Sequence, residues 1–206
     1  MPSFEFIIVL AILIVSVIIH EVSHGYAANY LGDPTARLSG RLSLNPVKHF
    51  DPVGSFLVPL ASYLLGGFIL GWAKPVPYNP YNLRNARWGE VIVSISGPAS
   101  NILIALFFGF IIRLAPDYGL INSNVLEVFA YVVVINLILA VFNMVPIPPL
   151  DGSKVLFGIL PERFQYIRAF MERNWLLVIA IFIFFLWRFI LPIVSWLFVT
   201  ITGTLI

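Results

Sequence analysis

The chain contains no cysteine. It therefore forms no disulfide, offers no thiolate to a zinc ion and has no cysteine nucleophile. This absence does not by itself identify a cellular compartment. Internal repeats, low-complexity tracts and linkers that would mark a second domain are also lacking. We therefore expect residues 1–206 to form a single domain.

Charged residues are scarce, at 11% of the 206 residues, whereas 60% of the residues are hydrophobic. A soluble domain averages about 25% charged residues. This scarcity indicates a protein whose main solvent is the lipid bilayer. The 12 Lys and Arg barely exceed the 10 Asp and Glu, so we expect no nucleic-acid surface, and the basic residues instead orient the chain in the membrane.

The first apolar run, Phe6–Ile19, leads directly into the polar sequence His-Glu-Val-Ser-His. No proline lies between Ser3 and Asp33, which favours one continuous helix. Such a helix of about 28 residues rises about 42 Å and exceeds the hydrocarbon core of about 30 Å. His20 would lie about 16 Å from its far end, so the polar motif is expected inside the membrane.

The basic residues decide between two topologies. Four further apolar stretches follow the first: Val53–Ala73, Trp88–Ile112, Val125–Val145 and Trp175–Val199. If the first of these enters and leaves on one side, every Lys and Arg except Arg113 and Arg188 lies on that side, which the positive-inside rule favours. The predicted fold is therefore an all-α polytopic membrane protein with about four full spans and one re-entrant or broken segment. Short strands are possible in its loops. The amino terminus is expected outside the cell membrane, and the polar motif towards the cytoplasm.

The motif His20-Glu21-Val22-Ser23-His24 matches H-E-x-x-H. On a helix, two histidines four residues apart share a face and can hold one zinc ion, while the intervening Glu can act as a base towards water. The alternative is a pair of buried histidines satisfied by hydrogen bonds. Ionisable groups at membrane depth are expensive and usually functional, which favours the metal site.

A catalytic zinc site takes three protein ligands and keeps one open position. Asp33 lies about two and a half turns past His24 on the same helix, too far away and facing wrongly. Asp51, in the basic loop with His49, stays open as a third ligand. The best candidate is Asp151, because the prolines just before it end the preceding helix and present the carboxylate on rigid backbone. An ordinary proline-rich turn is the alternative.

Together these features resemble the site-two protease family of intramembrane zinc metalloproteases. The resemblance extends from Ile19 to about Leu156 and rests on three motifs: His20-Glu21-x-x-His24, Ser96-Gly97-Pro98-x-x-Asn101, and Asn143 through Gly152. The segments Gly32-Asp33-Pro34, Leu44-Asn45-Pro46 and His49-x-Asp51-Pro52 resemble the compact branch that lacks a PDZ module.

The resemblance implies one zinc ion per chain with three ligands, which are His20, His24 and Asp151. It also implies that Glu21 is the general base and acid, and that Asn143 and Asn101 steady the tetrahedral oxyanion. Its implied substrates are membrane-spanning proteins, cut in or near their transmembrane segments.

Two other functions are compatible with part of this pattern. A membrane metal-binding or transport protein would explain intramembrane His and Asp, but not Glu21 between the ligands, and such transporters usually show two related halves. A proteolytically inactive relative that binds membrane helices would not need an intact Glu21. The sequence names no substrate, and it leaves a homo-oligomer open.

Overall fold

The computed structural model describes residues 4–57, 74–118 and 122–204. Within these ranges the regular elements are helical, which confirms the predicted all-α class, and none of the loops there forms a strand. The helices are α1 (Phe4–Tyr30), α2 (Thr35–Leu38), α3 (Ala86–Tyr118), α4 (Ser123–Asn143), α5 (Asp151–Ile159), α6 (Gln165–Arg173), α7 (Trp175–Ile181) and α8 (Ile190–Thr202). Shorter helical turns cover Pro46–His49, Val53–Leu57, Pro80–Asn82, Glu162–Phe164, Phe182–Leu186 and Trp187–Phe189.

Three helices are long and apolar enough to cross a membrane: α1, α3 up to Leu114, and α4. The 27 residues of α1 rise about 40 Å, enough for the hydrocarbon core. The chain is therefore a polytopic membrane protein. The predicted last span, Trp175–Val199, is present as α7, a wide helical turn and α8, of which α8 is an apolar helix shorter than the other spans. A total of four spans stays a prediction.

The three long helices are antiparallel neighbours in chain order. Ser16 of α1 lies beside Asn101 of α3, and His24, two turns later on α1, lies beside Val93, two turns earlier on α3. The helix α4 runs antiparallel to α3 and parallel to α1, and its Asn136 contacts Ser16 of α1. As a result α1 and α4 finish at the same end of the bundle. An apolar core joins α3 and α4 to α8, with Ala105, Val133, Leu137, Val194 and Phe198 among its buried members.

The predicted re-entrant segment, Val53–Ala73, lies mostly outside the described residues, which resume at Lys74. Its two flanks meet at the carboxyl-terminal end of α1, where the Lys74 N–H donates to His49 O at 2.9 Å. The re-entrant path between those flanks stays a prediction.

The loops at this end of the bundle are held together by Asp33. Its carboxylate accepts hydrogen bonds from the Thr35 and Asn79 N–H groups at 3.1 and 2.6 Å and from Asn82 Nδ2 at 2.9 Å. Burial raises the pKa of Asp33, but the hydrogen bond from the Thr35 hydroxyl and those just named lower the pKa by more, so it falls below its ordinary 3.8. A carboxylate whose pKa is lowered by folding stabilises the folded state at pH values above its ordinary pKa. This contribution is lost as the pH falls through the folded-state pKa. Asp33 is thus committed to structure.

Candidate metal centre

Three buried side chains from distant parts of the chain converge on one point. His20 and His24 share a face of α1, and their Nε2 atoms are 3.0 Å apart. Oδ2 of Asp151 lies 3.1 Å from each of these nitrogens. Among the described residues, this is the group of histidines and carboxylates that could hold a metal ion. Asp51, the open alternative, is not part of it, and its carboxylate accepts the Val53 and Gly54 N–H groups at 2.8 and 2.9 Å.

The Nδ1 atoms of both histidine rings, which lie away from Asp151, form hydrogen bonds to other parts of the chain. Nδ1 of His20 lies 2.7 Å from Asn101 Oδ1, and Nδ1 of His24 lies 2.6 Å from the Val93 carbonyl. Because both partners accept, each Nδ1 carries the proton, and each Nε2 presents a lone pair. Two lone pairs and a carboxylate within about 3 Å of one another repel unless a cation lies between them. Two ligands of a tetrahedral zinc ion lie about 3.3 Å apart, close to the observed spacings. The residues present therefore fit a zinc ion.

Gly97 on α3 makes room for the histidines. A β-carbon added at this position would lie 2.5 Å from His24 Cε1 and 2.7 Å from His20 Cε1, and closer still to His24 Nε2. No side chain tolerates such contacts, so only glycine lets α3 approach the two rings. This explains why glycine stands between Ser96 and Pro98 in the middle motif.

We expect Gly97→Ala to weaken zinc binding at least about tenfold, because a methyl group displaces ligand rings by the order of an ångström. Competition with a zinc chelator measures the change. Gly109→Ala is the matched control, since on the same helix its added β-carbon would instead meet Ile201 of α8, remote from the histidines. Equal zinc affinity of the two variants would show that Gly97 has no special role beside the rings.

Asp151 is the first residue of α5 and follows the tight turn that connects α4 to α5. Gly152 packs against the turn so closely that a β-carbon there would lie 2.5 Å from the Met144 carbonyl carbon, which explains the Asp-Gly pair. The Asp151 carboxylate turns Oδ2 to the histidines, while Lys154 Nζ lies 3.9 Å from Oδ1. The prolines before Asp151 follow the end of α4, as predicted, but Asp151 itself begins a helix and does not lie on extended backbone.

Glu21 follows His20 on α1 and is half-buried. Its Oε2 accepts a hydrogen bond from the Val76 N–H at 2.8 Å. Arg41 holds the residues just before Val76, because its guanidinium donates to the carbonyls of Lys74 and Pro75 at 2.8 and 3.2 Å. Residues 74–76 therefore hold Glu21 in place next to His20, and Glu21 is not part of the group that could bind a metal ion.

The two asparagines expected to contact an oxyanion are bonded elsewhere. Asn101 accepts from His20 and donates to Asn136 Oδ1 at 2.8 Å and to the Ser16 carbonyl at 3.5 Å, so both of its amide hydrogens are used. Asn143, at the end of α4, donates to Leu139 O at 2.9 Å. The oxyanion roles of both residues stay predictions. The contacts of Asn101 favour a role in orienting His20.

Sequence reasoning missed several residues around the centre. Asn136 is a lone amide in an apolar run of α4, and Ser16 stands one helical turn before His20 on the same face. Both are polar residues at membrane depth, a signal that could have identified them. The Val76 N–H and the Arg41 guanidinium gave no such signal, because their roles depend on how distant loops meet.

A sequence model of peptidase family M50 matches residues 8–120 and 110–187 of the chain. The protein named "Putative zinc metalloprotease YwhC" of Bacillus subtilis is 40% identical over 154 residues, which are 72% of this chain and 67% of that protein. Two proteins named "Putative zinc metalloprotease Rip2", from Mycolicibacterium smegmatis and Mycobacterium tuberculosis, are 30% identical over 197 and 201 residues. Each alignment covers 94% of this chain and 73% of the relative. No solved structure matches the chain.

The family match covers both histidines and the aspartate that converge in the structure, and the relatives carry the name of zinc enzymes. We conclude that the chain belongs to peptidase family M50 and that its cofactor is zinc.

Proposed function

We propose that this protein is an intramembrane zinc metalloprotease, which hydrolyses peptide bonds in or near the transmembrane segments of membrane-tethered proteins. The observation that carries the proposal is the buried group of His20, His24 and Asp151, with Glu21 next to His20 on the same helix. His20 lies about 15 Å before the end of a helix long enough to span the bilayer, at about 1.5 Å per residue. The chemistry would therefore take place below the membrane surface.

The residues of the chain account for binding and proton transfer. His20, His24 and Asp151 would hold the metal, and the buried hydrogen bonds behind the two rings fix their orientation. A bound zinc ion would supply Lewis acidity towards water and the scissile carbonyl. Glu21 would accept the proton of the attacking water and deliver it to the leaving nitrogen. The Val76 N–H donates to Oε2 and so orients the Glu21 carboxylate for this role.

The surroundings of the site support three further parts of the proposal. The loops at the carboxyl-terminal end of α1 carry Arg37, Arg41 and Lys48, which favours a cytoplasmic position for that end and an external amino terminus. The chain would be a multi-pass protein of the cell membrane, with residues 1–206 as one protease domain. Its partners would be single membrane helices, which must unwind locally because an α-helix buries its carbonyls in internal hydrogen bonds.

Zinc-dependent cleavage tests the proposal. The full chain is reconstituted in liposomes with a single-span substrate that carries Gly-Pro in its membrane segment. Removal of zinc by a chelator should stop cleavage, and one equivalent of zinc per chain should restore it. Mass spectrometry of the products should place the cut in or beside the membrane segment.

Ser23→Ala is the control for this assay, because the Ser23 hydroxyl donates to Ile19 O at 2.7 Å and has no place in the mechanism. This variant should cleave at the wild-type rate. Cleavage that persists without zinc, or that falls only in remote soluble parts of the substrate, would refute the proposed function.

A further inference from the structure

A continuous chain of buried hydrogen bonds leads away from the metal centre through all three long helices. Ser16, Asn101 and Asn136 are 3%, 0% and 0% exposed. Asn136 donates to Ser16 Oγ and to the Val132 carbonyl, both at 2.9 Å. Its Oδ1 accepts from Asn101 Nδ2 at 2.8 Å, and Asn101 Oδ1 meets His20 Nδ1 at 2.7 Å.

The Val132 carbonyl fixes which atoms donate and which accept in this series of hydrogen bonds. The Val132 carbonyl can only accept, so Asn136 must turn its amide nitrogen towards it and its oxygen towards Asn101. Asn101 must then turn its nitrogen towards Asn136 and its oxygen towards His20. That oxygen requires a proton on Nδ1 of His20, which leaves the Nε2 lone pair for a metal ion.

We propose that Asn136 is a positioning residue of the metal centre, which sets the tautomer of His20 by fixing the orientation of the Asn101 amide. Without Asn136, only the long contact of Asn101 Nδ2 with the Ser16 carbonyl, at 3.5 Å, would oppose a half-turn of the Asn101 amide that points its NH₂ group at His20 Nδ1. The proton of the imidazole would then move to Nε2, where it blocks coordination. His24 needs no such relay, because its Nδ1 donates directly to a backbone carbonyl.

A purely structural role for the three polar residues is the alternative. Buried amides also join membrane helices by hydrogen bonds, and such bonds change the stability of the bundle. A structural bond would be weakened by any substitution of Asn136, whatever residue stands at 101. Orientation of the Asn101 amide, in contrast, becomes unnecessary if position 101 has two equivalent acceptor oxygens.

Two variants separate these roles by zinc affinity, measured by competition with a chelator. Asn136→Leu, which keeps the branched side chain of four heavy atoms but has no polar atom, should bind zinc about 10–100-fold more weakly. Adding Asn101→Asp to this variant should restore the affinity to within about threefold of wild type, because a carboxylate accepts from Nδ1 in either orientation. The visible spectrum of the cobalt(II) form should be altered by the first change and restored by the second.

Thr202→Val is the matched control. Its hydroxyl is equally buried and donates to Phe198 O in α8, so the substitution removes a buried polar group away from the metal. We expect wild-type zinc affinity. Unchanged affinity of Asn136→Leu, or a double variant as weak as Asn136→Leu, would overturn the proposal.

Asn101→Leu tests the relay even if Asn136→Leu does not fold. It removes the acceptor of His20 Nδ1 and should bind zinc about 10–100-fold more weakly, whereas wild-type zinc affinity would overturn the relay. The inference rests on His20 as a ligand in the proposed function. Wild-type protein that binds no zinc would refute that function, whereas a failure confined to these variants would refute the relay alone.

Discussion

Glu21→Gln is expected to retain one zinc ion per chain and to lose cleavage by about 10²–10⁴-fold, the usual contribution of a general acid–base group. Glutamine has the same shape, and its amide oxygen can still accept the Val76 N–H that now bonds to Oε2. It cannot take a proton from water at neutral pH. Metal analysis by mass spectrometry and the initial rate of product formation measure the two halves of this prediction.

Glu127→Gln is the control for this substitution. Glu127 is an exposed carboxylate near the start of α4, where it accepts from the Tyr131 hydroxyl at 2.9 Å, and we expect no loss of activity. A Glu21→Gln protein that still cleaves would rule out the metalloprotease mechanism and favour the metal-binding or transport alternative. Loss of zinc from the same variant would instead make Glu21 part of the metal site.

Asp151→Ala should lower zinc affinity about 100-fold or more, beyond the range typical of residues that only support a ligand. The two histidines alone leave an ion with half of its tetrahedral coordination unfilled by protein. The substitution also removes the carboxylate that Lys154 approaches, so the remaining site becomes more positive and repels a cation. Chelator competition on the purified variant measures the loss.

Asp51→Ala tests the other carboxylate that the sequence left open. Its carboxylate accepts backbone N–H groups at the start of the Val53–Leu57 turn, so we expect zinc binding to survive while this loop loses stability. Full zinc retention by Asp151→Ala combined with loss by Asp51→Ala would move the third ligand to the 41–54 loop.

Local rules predicted the histidine pair and made Asp151 the best candidate for a third ligand, with Asp51 left open. Spacing on one helix places His20 beside His24, and prolines end the helix before Asp151. The extent of the long helices followed equally well from apolar runs, as in the predicted Val125–Val145 and the observed Ser123–Asn143. The irregular turn at Phe182–Leu186 within the last apolar stretch has no such signature.

What could not be predicted depends on contacts between distant helices. Asn101 was expected to contact an oxyanion, but its bond to Asn136, which lies 35 residues away on another helix, could not be predicted. The need for glycine at position 97 likewise arises only when α3 lies against the histidines. Hydrogen bonds donated by loop backbone, such as that of the Val76 N–H to Glu21, cannot be predicted from residue types, because every residue except proline has a backbone N–H.

The separation of His20 and Asp151 along the chain has a consequence for biosynthesis. His20 and Asp151 are 131 residues apart, so the aspartate is synthesised roughly 7–26 s after the histidine at about 5–20 residues per second. During this interval α1 is made before the later helices that supply the acceptors behind the two rings. Under the proposed function, a nascent chain would therefore hold zinc only weakly, and premature hydrolysis of neighbouring proteins would be avoided.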